Sequence, residues 1–516
     1  MAAADAQFDY VVIGAGAAGS IVAAQAALSG ASVLLIEMGA TVAPDDARVW
    51  DPTRWYEVLA EPSFEIGFHS VPQAGLNSRI IPLLQSQGLG GCQIHNAMVY
   101  VRGGRATYDY WANGLGCAGW AFDDLEPLFA QVEAAVTISS PAEDAFTAAF
   151  METASRLGFP WNPDYNGGAT EFGCVPFQFT VDPTGPRRTT AFESFIGAGQ
   201  PNLTVFTQCR VNRLDLTQNP PGVEYQLIPG GEVMTIYPER EVVLAAGAIA
   251  SPALLLRSGV GPADQLRALG IDVLADLPGV GQNFYDDLGV GLPVLMPEVA
   301  IPESYGYIGV GIFACSSGNA PGPTPAYAEV DIEMQLSTTG LPGAPKLPTP
   351  GAACLIGTSS LHLKSRGTVS LASADPATLP VVDPNWLAEP EDLDHVIASL
   401  RLAYDFARDA NLAQAGGWSP FPDIPPISAH WSQNLRFLAT QWIRATGLTV
   451  QHYVGSCAMG LDPSSSVVSP ADLRVHGVQG LRVIDASVAP TPVTGNTAGV
   501  SMVIGAKGAS LLLDGS

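Results

Sequence analysis

Positive charge is what this chain has least of. Its 516 residues carry 23 Lys and Arg against 49 Asp and Glu, a formal net charge of −26. Only Lys346, Lys364 and Lys507 are lysines. Binding nucleic acid by counterion release needs clustered cations, and an anionic membrane surface needs the same. Neither partner fits this composition, and the acidity reads as a solubility feature. Cysteine is sparse as well. Cys92, Cys117, Cys174, Cys209, Cys315, Cys354 and Cys457 are scattered, odd in number and without a CxxC pair. That excludes a disulfide framework or a zinc site, and no metal is expected. Mostly buried, reduced thiols are expected instead, which suits a cytoplasmic protein. The N-terminus, MAAADAQFDYVVIG, has no basic region ahead of a separate apolar one, so no signal peptide is expected. The longest uncharged apolar run, Val242 to Leu256, is too short to span a bilayer.

What the chain does have is apolar residues, at 47% enough for a large core. Residues 8–13 read as a buried strand, 17–29 as a helix and 32–37 as a second strand. Residues 203–213 and 241–245 also read as strands of Val and Leu. Pro-rich stretches at 321–325 and 341–350 read as loops. Residues 391–411 have helical spacing, and 481–513 return to strand then helix.

The turn after the first strand is Gly14-Ala15-Gly16-Ala17-Ala18-Gly19. Gly14 permits the tight turn, and Gly16 lets a pyrophosphate approach the backbone. Gly19 lets helix and strand pack closely. The helix N-terminus then offers free N–H groups and a positive dipole end to phosphates. Glu37 ends the second strand, where a carboxylate can accept both hydrogen bonds from the ribose hydroxyls of an adenine nucleotide. The fingerprint alone leaves FAD and NAD both open.

A second glycine-rich segment runs Gly88-Leu89-Gly90-Gly91-Cys92-Gln93-Ile94-His95-Asn96-Ala97-Met98-Val99-Tyr100-Val101-Arg102-Gly103, followed by Tyr108-Asp109-Tyr110-Trp111 and Gly119-Trp120. It resembles the glucose–methanol–choline (GMC) oxidoreductase family. So do Glu241–Ile249 with Ser251-Pro252, Val280-Gly281-Gln282-Asn283, Gly455–Gly460 and Asp485-Ala486-Ser487. The resemblance covers essentially the whole chain. It implies an α/β protein, α+β overall. A Rossmann-like FAD-binding domain (1–160, 200–285 and 445–516) would intertwine with a substrate-binding domain built on an antiparallel sheet (161–199 and 286–444). FAD would be bound by Gly14, Gly16, Ala17, Ala18, Gly19 and Glu37, with the flavin ring over Gly91 and the loop Asn96, Ala97, Met98 and Val99. Val211 would touch adenine, and Asp485 and Ala486 would sit near the pyrophosphate and ribityl chain. The helix starting near Thr497 would aim its positive end at the flavin.

The resemblance also implies chemistry. His452 stands at the family's catalytic histidine and Asn496 at its partner position. An imidazole of near-neutral pKa can take the hydroxyl proton of an alcohol, and the amide can donate to the developing alkoxide. The expected reaction is oxidation of a small alcohol to an aldehyde or ketone, with hydride transfer to flavin N5. Oxygen is the expected acceptor. A dehydrogenase with another acceptor and a non-redox lyase are the alternatives. Two positions depart from the commonest pattern. Asp286-Asp287 stands where many relatives have Asp-His, and neither is expected to act in catalysis. The substrate is expected to meet the 290–444 region, whose Tyr305, Tyr307, Phe313, Trp418 and Trp442 suggest an aryl or apolar alcohol. His69 is a weaker candidate for the channel border.

The other departure is His95, which directly precedes Asn96 in a GGCxxHN arrangement. In choline-oxidase-like members this histidine carries FAD covalently. Two readings stay open: an imidazole bonded to the flavin 8α carbon, or a neutral histidine hydrogen-bonded beside the ring. Acid precipitation of the purified protein separates them, since yellow colour pelleting with the protein means a bond and yellow supernatant means none.

Overall fold

A computed structural model describes residues 7–59, 61–141, 145–167, 170–197, 199–295, 309–322, 325–337, 353–416, 419–420 and 433–514. The elements that position the site, in chain order, begin with β1 (Tyr10–Ile13), α1 (Ala17–Leu28), β2 (Val33–Ile36), β3 (Gly173–Pro176), β4 (Leu203–Phe206), β5 (Glu241–Leu244) and α2 (Gly247–Arg257). They continue with β6 (Leu288–Leu295), β7 (Val310–Ala314), β8 (Ile332–Ser337), β9 (Ala353–Ser360), α3 (Pro390–Ala407), β10 (Leu448–Thr449), β11 (Leu481–Val483) and α4 (Ala498–Asp514).

The first sheet is parallel, in the order β4-β2-β1-β5-β11. Its central strands read YVVI and VLLI, and every residue of both is buried. Such unbroken apolar runs are what a sheet covered on both faces requires. Helix α4 packs along α1, and the approach depends on small residues. A Cβ on Gly505 would lie 2.7 Å from the Ala18 Cα. The second sheet is antiparallel, in the order β3-β7-β8-β9-β6, and β6 also takes up β10 and the short strand Ser419–Pro420. Helix α3 covers β6 and β9. The expected strands and helices at 8–37, 241–245, 391–411 and 481–513 are present within a few residues. The run at 203–213 divides. Its first part is β4, whereas Cys209–Asp215 joins a separate three-stranded antiparallel sheet.

The C-terminal ends of the parallel strands open toward the antiparallel sheet, where an α/β fold collects its ligands. One cavity of about 360 Å³ lies there. Gly14, Glu37, Ala245 and Asp485, each just past a parallel strand, line one part of it, and Gln335 and Ser359 of β8 and β9 line another. Among the described residues, no helix is long and apolar enough to cross a membrane.

The cavity exists because two glycine turns touch. Gly91 has φ +52°, and a Cβ there would lie 2.6 Å from the Gly16 Cα. Gly91→Ala therefore combines left-handed strain with overpacking, at roughly 2 kcal/mol or more. A fall in thermal midpoint together with loss of bound flavin is expected, read by calorimetry and by absorbance of the purified variant.

Candidate active site

The fingerprint turn has the geometry that a dinucleotide needs. Gly14 has φ +106°, and a Cβ on Gly19 would collide with the Gly14 carbonyl oxygen. Gly14, Gly16, Ala17 and Ala18 line the cavity; Gly19 does not and serves the helix–strand packing. Gly91, His95, Asn96, Ala97, Met98, Val99, Val211, Asp485, Ala486, His452, Asn496 and Thr497 line it too. Helix α4 starts one residue beyond Thr497, and its first turn faces the cavity through Ala498 and Ser501. A free helix terminus of α1, a side-chain-free approach at Gly16 and a continuous channel to His452 fit an adenine dinucleotide carrying a flat ring.

Glu37 differs from expectation. Its Oε2 accepts the Ala15 N–H at 3.0 Å, and its Oε1 accepts those of Gly39 at 2.8 Å and Gly88 at 2.9 Å. A carboxylate has about four acceptor sites. The two ribose hydrogen bonds expected of it are more than the remaining capacity. Its buried carboxyl ties the fingerprint turn to the second loop, and burial pushes its pKa up against those three donors. Asp485 is similar. It accepts the Gly247 N–H at 2.9 Å and the Ser251 hydroxyl at 2.6 Å, which seats the start of α2.

His452 lies in a buried polar network. Its Nδ1 meets Asp287 Oδ2 at 2.8 Å, its backbone N–H donates to Asp286 Oδ1 at 2.9 Å, and Asn496 Nδ2 lies 3.1 Å from its Nε2. A carboxylate only accepts, so the neutral ring carries its proton on Nδ1 and keeps the Nε2 lone pair, which the Asn496 amide meets. Burial alone pushes the imidazole down. The Asp287 hydrogen bond and charge, with Glu333 and Asp286 farther off, outweigh it and carry the pKa above the usual value. Asp287 is itself held by the Tyr285 hydroxyl, which donates to Oδ1 at 2.5 Å.

No catalytic role is expected of Asp286 or Asp287 from the sequence, and the structure places both in hydrogen-bond contact with His452. Strand β6 pairs with β10 at Leu288↔Thr449, and Tyr285 bridges to Val454. That register sets the Asp286-Asp287 pair against His452. The departure from Asp-His was the available signal, because it places a second carboxylate next to the family acid.

Other candidates sort clearly. His95 is buried, and its Nδ1 meets Glu65 Oε1 at 2.6 Å. Burial opposes its charge, but contacts with Cys92 and Glu65 push its pKa up to about 9. Cys92 is exposed and lines the cavity, whereas Cys117, Cys174, Cys209, Cys315 and Cys457 are buried. His69 is exposed and bonds the Gly67 carbonyl, while its neighbour Phe68 lines the cavity. The aromatic expectation fails where it can be checked. Phe313 is in a buried cluster, and Trp442 packs against the main core with its N–H on the Gly291 carbonyl. Tyr305, Tyr307 and Trp418 lie outside the described residues. Sequence reasoning passed over Ser86, Gln335 and Glu333. Ser86 Oγ and Gln335 Oε1 line the cavity region as buried atoms without a hydrogen-bond partner, as does Asn496 Oδ1. Glu333 is buried beside His452 with both carboxyl oxygens unpartnered, and burial raises it to about 7.

In Asp287→Asn the negative partner is gone while burial remains. The His452 pKa is expected to fall, read by NMR titration of labelled histidine. An unchanged value would remove Asp287 from this role.

Family models for GMC oxidoreductase match residues 8–288 and 364–505. The oxygen-dependent choline dehydrogenase of Ectopseudomonas mendocina is 31% identical, over 98% of this chain and 94% of its own. That of Burkholderia pseudomallei is 30% identical, over 97% and 93%. The crystal structure of pyridoxine 4-oxidase from Mesorbium loti superposes with a TM-score of 0.85 at 26% identity, covering 98% of this chain and 99% of that one. Formate oxidase of Aspergillus oryzae, at 22% identity and a TM-score of 0.86, shares the fold. The chain belongs to the GMC oxidoreductase family, FAD-dependent oxidoreductases acting on CH–OH groups.

Proposed function

We infer that this protein oxidises a small polar alcohol to the carbonyl, with His452 as base, Asn496 as hydrogen-bond partner of the reacting oxygen, and oxygen as final acceptor. The observation that carries the reading is the Asp287–His452–Asn496 arrangement. Bound FAD supplies the hydride acceptor, held by Gly14, Gly16, Val211, Asp485 and the loop from Gly91 to Val99. Asp287 fixes the imidazole tautomer so that the lone pair is on Nε2, which takes the alcohol proton once the substrate hydroxyl displaces the Asn496 N–H that meets it. The Asp287 charge stabilises the imidazolium once that proton arrives. The second Asn496 N–H is available to the alkoxide as charge develops. Asp287 and His452 are buried and Asn496 is half-buried, which limits the water that can compete for them.

The substrate-binding wall comes from β8 and β9. The unpartnered cavity-lining oxygens, Gln335 Oε1 on β8 and Asn496 Oδ1 just ahead of α4, are acceptors. A buried acceptor without a donor costs about 1–3 kcal/mol. A substrate with donor groups besides the reacting hydroxyl relieves that cost, whereas a plain aryl or alkyl alcohol does not. The related proteins named for choline and pyridoxine agree with a polar alcohol, and their names as oxygen-dependent enzyme and oxidase support oxygen as acceptor. For the flavin linkage the reading is a bond from His95. Glu65 occupies Nδ1 and leaves Nε2 as the ring nitrogen for the 8α carbon.

Under anaerobic conditions, amino alcohols and polyols are expected to bleach the flavin faster than simple alkanols of equal size. His452→Ala should retain flavin and lose about 10²–10⁴ in turnover. Near-normal turnover in that variant, or no bleaching by any alcohol class, defeats the reading.

A further inference from the structure

Two arginines are fully buried, Arg188 and Arg482. They are not alike. Arg482 is neutralised by Glu241, with Nε on Oε2 at 2.5 Å. Arg188 has no carboxylate among the described residues. Its guanidinium donates to the Val49 carbonyl at 2.8 Å, the Gln93 carbonyl at 2.7 Å, the Asn96 side-chain oxygen at 2.6 Å and the Asn96 carbonyl at 2.8 Å. All four acceptors are neutral. Burial pushes its pKa down to about 9, which still leaves it charged at neutral pH. An unpaired buried cation is costly.

Its place is specific. Arg188 holds the back of the loop whose other side lines the cofactor cavity through Asn96, Ala97, Met98 and Val99. In a trans peptide the N–H points opposite to the C=O. The Asn96 carbonyl points at Arg188, so the Ala97 N–H points away from it, on the cavity side. No described acceptor takes that N–H. The peptide dipole and the cation behind it thus act in the same direction, and both present positive potential to whatever lies against the loop. In an interior of low dielectric a fixed charge is screened little.

We propose that Arg188 is a positioning and electrostatic residue that raises the electron affinity of the bound flavin, acting through the Asn96–Ala97 peptide. The inference rests on the reading that the flavin ring lies against this loop. Two-electron reduction by substrate and deprotonation of the reduced ring add negative charge to the flavin, and Arg188 favours that form without touching it. The unneutralised charge is what separates this role from a structural clamp. A clamp needs only the hydrogen bonds.

The test uses holoprotein of Arg188→Lys, Arg188→Met and Arg188→Gln. Arg188→Gln keeps a neutral amide NH2 with two N–H donors and serves if Arg188→Met does not accumulate. The flavin midpoint potential and the affinity for sulfite, which adds to oxidised flavin and leaves it anionic, are measured in each. The expected result is at least a tenfold drop in the reduction equilibrium, about 30 mV, and a comparable loss of sulfite affinity in the neutral variants. Arg188→Lys should stay near the parent. A neutral variant that holds flavin at the parent potential overturns the proposal. An equal drop in Arg188→Lys also overturns it, since hydrogen-bond geometry would then be the cause. Failure of the underlying reading is distinguishable: parent protein without flavin, or flavin whose absorbance is unchanged in every variant, places the ring elsewhere.

Discussion

The close approach of two glycine-rich turns governs the architecture of this protein. Gly16 and Gly91 come together with no side chain between them, so the start of α1 and the flavin loop share one wall of the cavity. Glu37 secures the approach by accepting N–H groups from both sides, at Ala15 and Gly88. A carboxylate that gathers backbone donors is a rigid joint, because its hydrogen bonds are charge-assisted and buried. The acid therefore shapes the site first and contacts the nucleotide with what capacity remains.

The reaction centre depends on a different kind of joint. Strand pairing between the antiparallel sheet and the segment after it carries Asp287 to His452, although the two are 165 residues apart in the chain. The buried charges around the cavity are then unequal in a useful way. Asp287 is satisfied by a tyrosine and an imidazole, while Glu333 has no partner. Satisfied groups set the tautomer of the base. Of the unpartnered groups, Gln335 Oε1 and Asn496 Oδ1 line the cavity. Behind the flavin loop the sign reverses, with Arg188 held by neutral oxygens alone. The charges thus differ in sign on the two sides, with carboxylates around His452 and an arginine behind the loop from Asn96 to Val99.

Much of this is legible in the amino-acid sequence. The chemistry of the turn from Gly14 to Gly19 follows from its neighbours in the chain, whereas the loop from Gly88 to Gly103 and the pair His452 and Asn496 are picked out by their resemblance to family motifs. The aromatic residues of the middle region mislead, because Phe313 and Trp442 answer to packing and not to ligand. Apolar rings look alike in sequence whether they fill a core or line a cavity.

The sequence by itself determined the dinucleotide fingerprint, since backbone freedom at glycine and helix-terminal N–H groups are local properties, while His452 and Asn496 were singled out by the family resemblance. Only the tertiary structure decided what each charge faces. That Glu37 accepts the Ala15 and Gly88 N–H groups, that Asp287 meets His452 Nδ1 and that Arg188 has no counterion among the described residues are facts about partners distant in sequence. They follow from sheet register and loop contact, and the physics of a buried charge depends on its partner more than on its own identity.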